Sequence, residues 1–225
     1  MEYRHELKFL VSDVELEILR YRLKPLMKAD SHQNGDAYSV RSLYFDDYRD
    51  SCMRENEDGI DNRKKYRIRI YDGKDTVIRL EKKSKVRGMT KKVSTSISRE
   101  DCISYMQGIP VVLRPDSTDL EKELYAEMKM SGMHPVSIVE YERTAFVEQR
   151  GNVRITFDRN ISGSEAVRSF LDKPPLVPLL ERGKHVLEVK YDELLPEYIA
   201  QVLELGCLQR SAFSKYYYAR NYKEM

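Results

Sequence analysis

Basic side chains fall on every second position in one stretch of this chain after another. Lys65-Tyr66-Arg67-Ile68-Arg69-Ile70-Tyr71 places Lys65, Arg67, Arg69 and Tyr71 on one face, and Val77-Ile78-Arg79-Leu80-Glu81-Lys82-Lys83 does the same with Arg79, Glu81 and Lys83. The segments 139–143, 153–158 and 187–190 continue the alternation. Side chains alternate across a strand, so each stretch predicts a strand with one charged face and one largely apolar face. The full pattern predicts eight strands, over 4–11, 38–45, 64–71, 76–83, 91–97, 136–147, 153–158 and 185–191.

A helical period replaces the alternation elsewhere. Ser12, with Glu15 three residues on, predicts a capping box ahead of Leu16, Leu19, Leu23 and Leu26. Ser98 with Asp101 opens a short helix, residues 117–131 turn Leu120, Leu124 and Met128 inward before Gly132, and a helix over 195–205 has Pro196 near its first turn and Gly206 past its end. Asp72-Gly73 reads as a tight hairpin turn and Gly151-Asn152 as another, while Asp58-Gly59 marks a turn in the acidic, polar stretch 48–62. Residues 160–182, with Pro174, Pro175 and Pro178, read as irregular, and the tail 211–222 fits no single element.

No Pro/Gly/Ser-rich linker divides the chain, which predicts a single α+β domain over 1–225. Strands in hairpin-like succession must hide their open edges, and closure into a barrel does so. An ordinary small barrel is apolar inside, yet buried unpaired charge costs too much to fill a core. The pattern therefore predicts an eight-stranded antiparallel β-barrel whose charged face lines a water-filled tunnel and whose apolar face is covered by helices packed outside.

Charge sharpens the picture. Lys+Arg 39 against Asp+Glu 37 nearly cancel, so positive charge has to be concentrated locally, with acids such as Glu15, Glu17, Glu121, Glu123 and Glu127 on outer helices. That balance, without an aromatic binding motif, disfavours an RNA-binding barrel and a nucleic-acid partner in general. Cys52, Cys102 and Cys207 lie far apart, match no zinc spacing and are odd in number, which points to a reducing compartment. No apolar run has transmembrane length and the N-terminus opens no signal peptide, so the expectation is a soluble cytoplasmic protein with no membrane segment in this chain.

The cations that fall on the inner face are Lys8, Arg67, Arg69, Arg79, Lys83, Lys92, Arg143, Arg154, Lys190 and Lys215. Arginine presents a rigid fork to phosphate oxygens and lysine a compact point charge. Glu6, Glu81, Asp158 and Glu188 share the faces. Carboxylates in a phosphate site repel the ligand unless a cation bridges them, and Mg²⁺ or Mn²⁺ does so with few protein ligands plus substrate oxygens. Alternating charge is also what the solvent face of an antiparallel sheet shows, and surface salt bridges account equally for Glu81 and Asp158. His5, His32, His134 and His185 have no ligand spacing, and the sixteen tyrosines read mostly as strand packing, with Tyr216-Tyr217-Tyr218 as a packed terminus. GxxxxGK[ST], GxGxxG, Gly-x-Ser-x-Gly and HExxH are all absent from the sequence.

Eight short motifs occur in order: Arg4-His5-Glu6-Leu7-Lys8, Ser42-Leu43-Tyr44-Phe45-Asp46, Tyr66-Arg67-Ile68-Arg69, Leu80-Glu81-Lys82-Lys83, Tyr141-Glu142-Arg143-Thr144-Ala145-Phe146, Arg154-Ile155-Thr156-Phe157-Asp158, Leu187-Glu188-Val189-Lys190 and Phe213-Ser214-Lys215. Together they resemble the catalytic domain of the vacuolar transporter chaperone (VTC) family, within the triphosphate tunnel metalloenzymes that also include the CYTH proteins. The resemblance covers nearly the whole chain. It implies an eight-stranded tunnel and synthesis of polyphosphate from ATP with Mn²⁺ or Mg²⁺. Its substrates would be ATP or another nucleoside triphosphate and polyphosphate or pyrophosphate. By position, Lys8, Arg67, Arg69, Lys83, Arg143 and Arg154 would bind phosphates, with Lys91 and Lys92 competing for one further place. Glu188 would be the metal ligand, with Glu6, Glu81 and Asp158 weaker candidates, and Ser214 and Lys215 would close on phosphate at one tunnel end. The superfamily opens on Glu-x-Glu-x-Lys, whereas this chain has Arg4 at the first position. That departure resembles the polymerase branch and argues against a two-metal hydrolytic site. The chain has neither the inositol-phosphate-sensing domain nor the membrane helices of the eukaryotic complexes, so it is expected to stand alone. The alternatives are a tripolyphosphatase or nucleoside triphosphatase and a non-catalytic polyphosphate-binding module.

Overall fold

The computed structural model describes residues 3–31, 33, 35–204 and 208–222. Its strands are β1 (His5–Ser12), β2 (Lys28–Ala29), β3 (Tyr38–Asp46), β4 (Arg63–Tyr71), β5 (Lys74–Val86), β6 (Met89–Ser96), β7 (His134–Glu148), β8 (Val153–Ser164), β9 (Val177–Pro178) and β10 (Lys184–Tyr191). Its helices are α1 (Asp13–Leu23), α2 (Ser51–Glu57), α3 (Arg99–Met106), α4 (Asp119–Met130), α5 (Glu197–Leu203) and α6 (Lys215–Asn221). The class is α+β. Eight strands follow the antiparallel path β1-β10-β8-β7-β3-β4-β5-β6, and the two-residue strands β2 and β9 pair beside β7 and β8. The eight strands of the path are those the alternation predicts.

The sheet is not closed into the predicted barrel: its path runs from β1 to β6 without a ladder joining the two ends. The end strands β1 and β6 do not share a continuous ladder; they meet at an isolated bridge where Arg4 and Thr90 exchange backbone hydrogen bonds of 2.9 and 3.0 Å. Farther along, the chain preceding α6 takes up the free edge of β1: Leu10 N–H donates to Gln209 O at 3.3 Å and Ser211 N–H to Lys8 O at 2.9 Å. Arg4, at the position where the related motif has glutamate, holds this corner with an ion pair to Asp192 at 2.8 Å.

Helices cover the apolar face. Leu43, Ile68, Leu80 and Ile138 of the sheet share one core with Tyr105 of α3 and Leu120, Leu124 and Met128 of α4. Phe9, Val11, Ile155 and Val189 share a second with Leu16, Leu19 and Leu23 of α1 and Ile199 and Leu203 of α5. The capping box of α1 forms as predicted, Ser12 Oγ accepting from Glu15 N–H at 3.3 Å and the Glu15 carboxylate from Ser12 N–H at 2.7 Å. The helix stops at Leu23, so Leu26 is 40% exposed and Met27 takes the core place expected of it. Asp72 and Gly73 both have positive φ (53° and 63°), as a two-residue hairpin turn requires.

Three segments differ from the prediction. The polar stretch 48–62 contains α2, β8 extends five residues into the segment read as irregular, to Ser164, and the tail contains α6. A Cβ on Gly163 would meet Leu179 Cδ2 at 3.0 Å and Ala219 Cβ at 3.3 Å, so glycine there lets α6 seat closely against β8. The predicted end of the last-but-one helix at Leu205 and Gly206, together with His32 and Cys207, lies outside the described residues.

Candidate functional site

Opposite the helix-covered face, the charged side chains of the sheet surround a cavity of about 1680 Å³. Lys8, Arg67, Arg69, Arg79, Lys83, Arg143, Arg154, Lys190, Ser214 and Lys215 all line it. Both Lys91 and Lys92 reach its wall, but register separates them: Lys92 lies opposite the cavity-facing Lys83 and donates to Glu81 at 3.0 Å, whereas Lys91 lies opposite Ser84 and rests over the ring of Tyr3. The pleat thus gives the inward place to Lys92.

Four carboxylates are threaded through these cations. Glu188 lies 3.0 Å from Lys190, 3.2 Å from Lys215 and 3.7 Å from both Lys8 and Arg143. Glu6 lies 2.6 Å from Lys83 and 3.5 Å from Lys8. These two line the cavity; Glu81 and Asp158 do not and are buried beneath its wall. Asp158 accepts both prongs of Arg143 at 2.6 and 2.7 Å and pairs with Lys215 at 2.6 Å. Glu81 takes Arg67 at 2.7 Å and Lys92 at 3.0 Å. Each thus pairs from beneath the wall with an arginine that lines the cavity, Asp158 with Arg143 and Glu81 with Arg67.

Burial alone would raise all four carboxyls, but the surrounding cations reverse it. Lys83, Lys190 and Lys8 hold Glu6 far below the usual range, as Arg67, Arg69 and Lys92 do Glu81 and Lys190 and Lys215 do Glu188, and Arg143 and Lys215 lower Asp158. The unfolded chain binds protons near pH 4 that the folded chain refuses. Stability is therefore complete above the ordinary carboxylate range and declines as pH falls from about 5 toward the lower folded values. Thermal melts at pH 7, 5 and 3.5 should show this progressive loss, and an unchanged melting temperature at pH 3.5 would contradict the network.

Sequence reasoning missed the hydroxyls behind the arginines. Tyr44 accepts from Arg67 at 3.1 Å, Tyr141 from Arg69 at 3.2 Å and Tyr38 from Arg154 at 3.2 Å. Arg154 also pairs with Asp30. The available signal was the even spacing of Tyr38, Ser42 and Tyr44 along β3, opposite Arg143, Arg69 and Arg67 of its neighbours. Arg63, Lys65, Lys74, Lys85 and Arg210 are further cations on the wall that were not singled out as site residues.

Mg²⁺ and Mn²⁺ are usually bound through one or two carboxylates with substrate phosphates completing the shell. Glu6 and Glu188 fit that requirement: both face the cavity and both flank Lys8. Among the described residues no group of three or more His, Cys, Asp or Glu could cage a metal by itself. Cys52 and Cys102 are free and buried, and no described helix is long and apolar enough to cross a membrane.

No curated protein matches the chain. Solved structures match its fold at low identity. The PH1819 protein of Pyrococcus horikoshii OT3 is 15% identical, with a TM-score of 0.50 over 99% of this chain and 100% of that one. A proposed adenylate cyclase of Bacillus halodurans is 14% identical, with a TM-score of 0.50 over 91% of this chain and 87% of that one. A chain of the Schizosaccharomyces pombe Mediator head module is 11% identical, with a TM-score of 0.50 over 93% and 98%. So varied a set shows a shared fold and leaves function to the site. The sequence itself matches the VTC domain over residues 3–222, and the chain belongs to that family.

Proposed function

We propose that this protein is a metal-assisted phosphotransferase that moves the γ-phosphoryl group of ATP, or of another nucleoside triphosphate, onto a polyphosphate chain held in the cavity. The observation that carries this reading is the excess of fixed cations over carboxylates on the cavity wall, with Glu188 set among four of those cations. Phosphoryl transfer asks a protein mainly to position the reactants and to stabilise charge on the moving group. Arg67, Arg69, Arg143 and Arg154 are each oriented by a carboxylate or a tyrosine hydroxyl, so their remaining N–H groups are pre-aimed at phosphate oxygens. Lys8, Lys83, Lys92, Lys190 and Lys215 supply compact charge, and Ser214 a hydroxyl donor. Lys215 is held protonated by Asp158 and Glu188 against the opposing effect of burial. Mg²⁺ or Mn²⁺ bound at Glu188, with Glu6 beside it, would neutralise charge on the transferring and leaving oxygens. We read the cavity as a tunnel and the chain as one domain acting in the cytoplasm.

Incubation with ATP and Mn²⁺ tests this reading, with products resolved by gel and by free-phosphate assay. Long chains support it, whereas free phosphate alone means that water is the acceptor and the enzyme is a hydrolase. Binding without either product means a non-catalytic module, a role compatible with so versatile a fold.

Salt offers a second test. The Debye length falls from about 10 Å at 0.1 M to about 3 Å at 1 M, and enclosed charges are screened less than exposed ones. Tripolyphosphate, held wholly inside, should lose less affinity with salt than long polyphosphate that also touches the cavity mouth. Complete loss of tripolyphosphate binding at moderate salt, measured by titration calorimetry, would indicate an exposed patch.

A further inference from the structure

The cations of the cavity are unequally supplied with counter-charge. Lys8, Lys83, Lys92, Lys190 and Lys215 each have a carboxylate oxygen within 3.5 Å. Lys65 is held differently. It shares the inner face of β4 with Arg67 and Arg69, and its Nζ donates to Asn56 Oδ1 at 2.9 Å and to Ser214 Oγ at 3.4 Å. The ammonium also stands 4.8 Å from the centre of the Tyr216 ring. All three partners are neutral.

Among the described residues, the charged and titratable groups that face Lys65 do not supply an anion either. Arg63 of its own strand, Lys8 of β1 and Lys83 of β5 are cations, and Cys52 of α2 is a buried thiol whose pKa is pushed well up by burial. Tyr216 of α6 has its hydroxyl committed to Asp46. Burial, reinforced by the neighbouring cations, pushes the Lys65 amine down to about 7.

The frame around this lysine is well tied. Asp46, at the end of β3, accepts from the N–H groups of Cys52 and Met53 in α2 at 2.8 and 3.1 Å and from the Tyr216 hydroxyl of α6. Arg220 of α6 pairs with Asp50, just ahead of α2, at 2.6 Å. Asn56 and Ser214 are thus carried on two helices fastened to one carboxylate. An ammonium, a hydroxyl and a side-chain amide converge there, and each can donate to a phosphate oxygen.

We propose that Lys65, with Asn56 and Ser214, forms an anchoring subsite for one phosphoryl group on the α2–α6 side of the cavity, where the bound anion supplies the counter-charge that Lys65 lacks. The proposal rests on reading the cavity as a phosphate site, and it adds a linkage to that reading: above pH 7 an anion can engage Lys65 fully only by drawing a proton onto it.

Calorimetric titration of the full chain with sodium tripolyphosphate at pH 7.5, in two buffers of different ionisation heat, reads this proton directly. The wild type should take up protons on binding. Lys65→Arg keeps the charge without titrating, so it should bind within a few-fold of wild type and take up fewer protons. Lys65→Met should bind about tenfold or more weakly at pH 6.5 and also take up fewer. Lys83, pushed down to about 8 chiefly by burial, accounts for uptake that remains in both variants, and titration of the ligand itself is common to all three. Loss of an unpaired charge should leave Lys65→Met folded, which a thermal melt checks. Equal proton uptake by wild type and Lys65→Arg, or equal affinity of wild type and Lys65→Met, overturns the subsite while leaving the phosphate cavity standing. Failure of the wild type to bind tripolyphosphate overturns both.

Discussion

Asp158→Ala should cost roughly 3–5 kcal/mol of folding stability, the range for breaking a buried ion pair and stranding its partner. The carboxylate is fully buried and takes two hydrogen bonds from Arg143, at 2.6 and 2.7 Å, and an ion pair from Lys215 at 2.6 Å. Its removal strands two buried cations at once. Glu188 is the remaining acid near both, 3.7 Å from Arg143 and 3.2 Å from Lys215, and its partial compensation places the loss toward the lower end of the range. Asp158→Asn keeps the shape and should cost less. Urea denaturation of the three proteins measures the difference. A loss below about 1 kcal/mol for Asp158→Ala would mean that water reaches Arg143 and Lys215 freely, as at a surface salt bridge.

The second large effect is on turnover. Glu188→Gln keeps the size of the side chain and removes its charge. Four cations within 3.7 Å then lose the acid they share. Metal-free affinity for tripolyphosphate should rise, because the ligand no longer competes with an internal anion for those cations. Metal-dependent turnover of ATP should fall on the order of a hundredfold, the scale of removing one preorganised electrostatic element from a transition state. The two readouts move in opposite directions, which a general loss of structure cannot mimic. Wild-type turnover with Mn²⁺ in this variant would reduce Glu188 to an ion-pair partner of Lys190 and Lys215.

The strands were legible because alternation is a local signal of period two, and β4 and β10 carry it cleanly enough to place Arg67, Arg69, Glu188 and Lys190 on one face. The elements that were missed are set by distant partners. Helix α2 has no side-chain cap, and Asp50 ahead of it is in the left-handed region at φ 55°. It is fixed instead by Asp46 from another element, which no window of sequence displays. The extension of β8 passes through Asn160 at φ 51°, with a register shift against β7 between Glu140 and Glu142. A bulge of this kind lets Asn-Ile-Ser-Gly-Ser continue a strand although its composition reads as a loop. Period two put Lys65 on the correct face, but its lack of a carboxylate depends on what five separate elements bring near it. The split between lining and buried acids was hidden for the same reason: alternation places Glu81 and Glu188 on charged faces alike, and only packing depth separates them.

The pairing of β1 with β10 sets an order on folding. His5 lies opposite Tyr191 and Ser12 opposite Lys184, so the ladder of β1 joins segments from nearly opposite ends of the described chain. Closing so long a loop must precede any gain from that ladder, which makes the contact intrinsically slow to form. A nascent chain that has emerged only through β8 holds β1 without its ladder partner, with the isolated Arg4–Thr90 bridge as its link to β6. Hairpins β4–β5, β5–β6 and β7–β8 can assemble earlier from near neighbours. The cavity wall therefore gains Glu188 and Lys190, and the ladder that fixes Lys8, only when β10 docks, and Lys215 follows with α6.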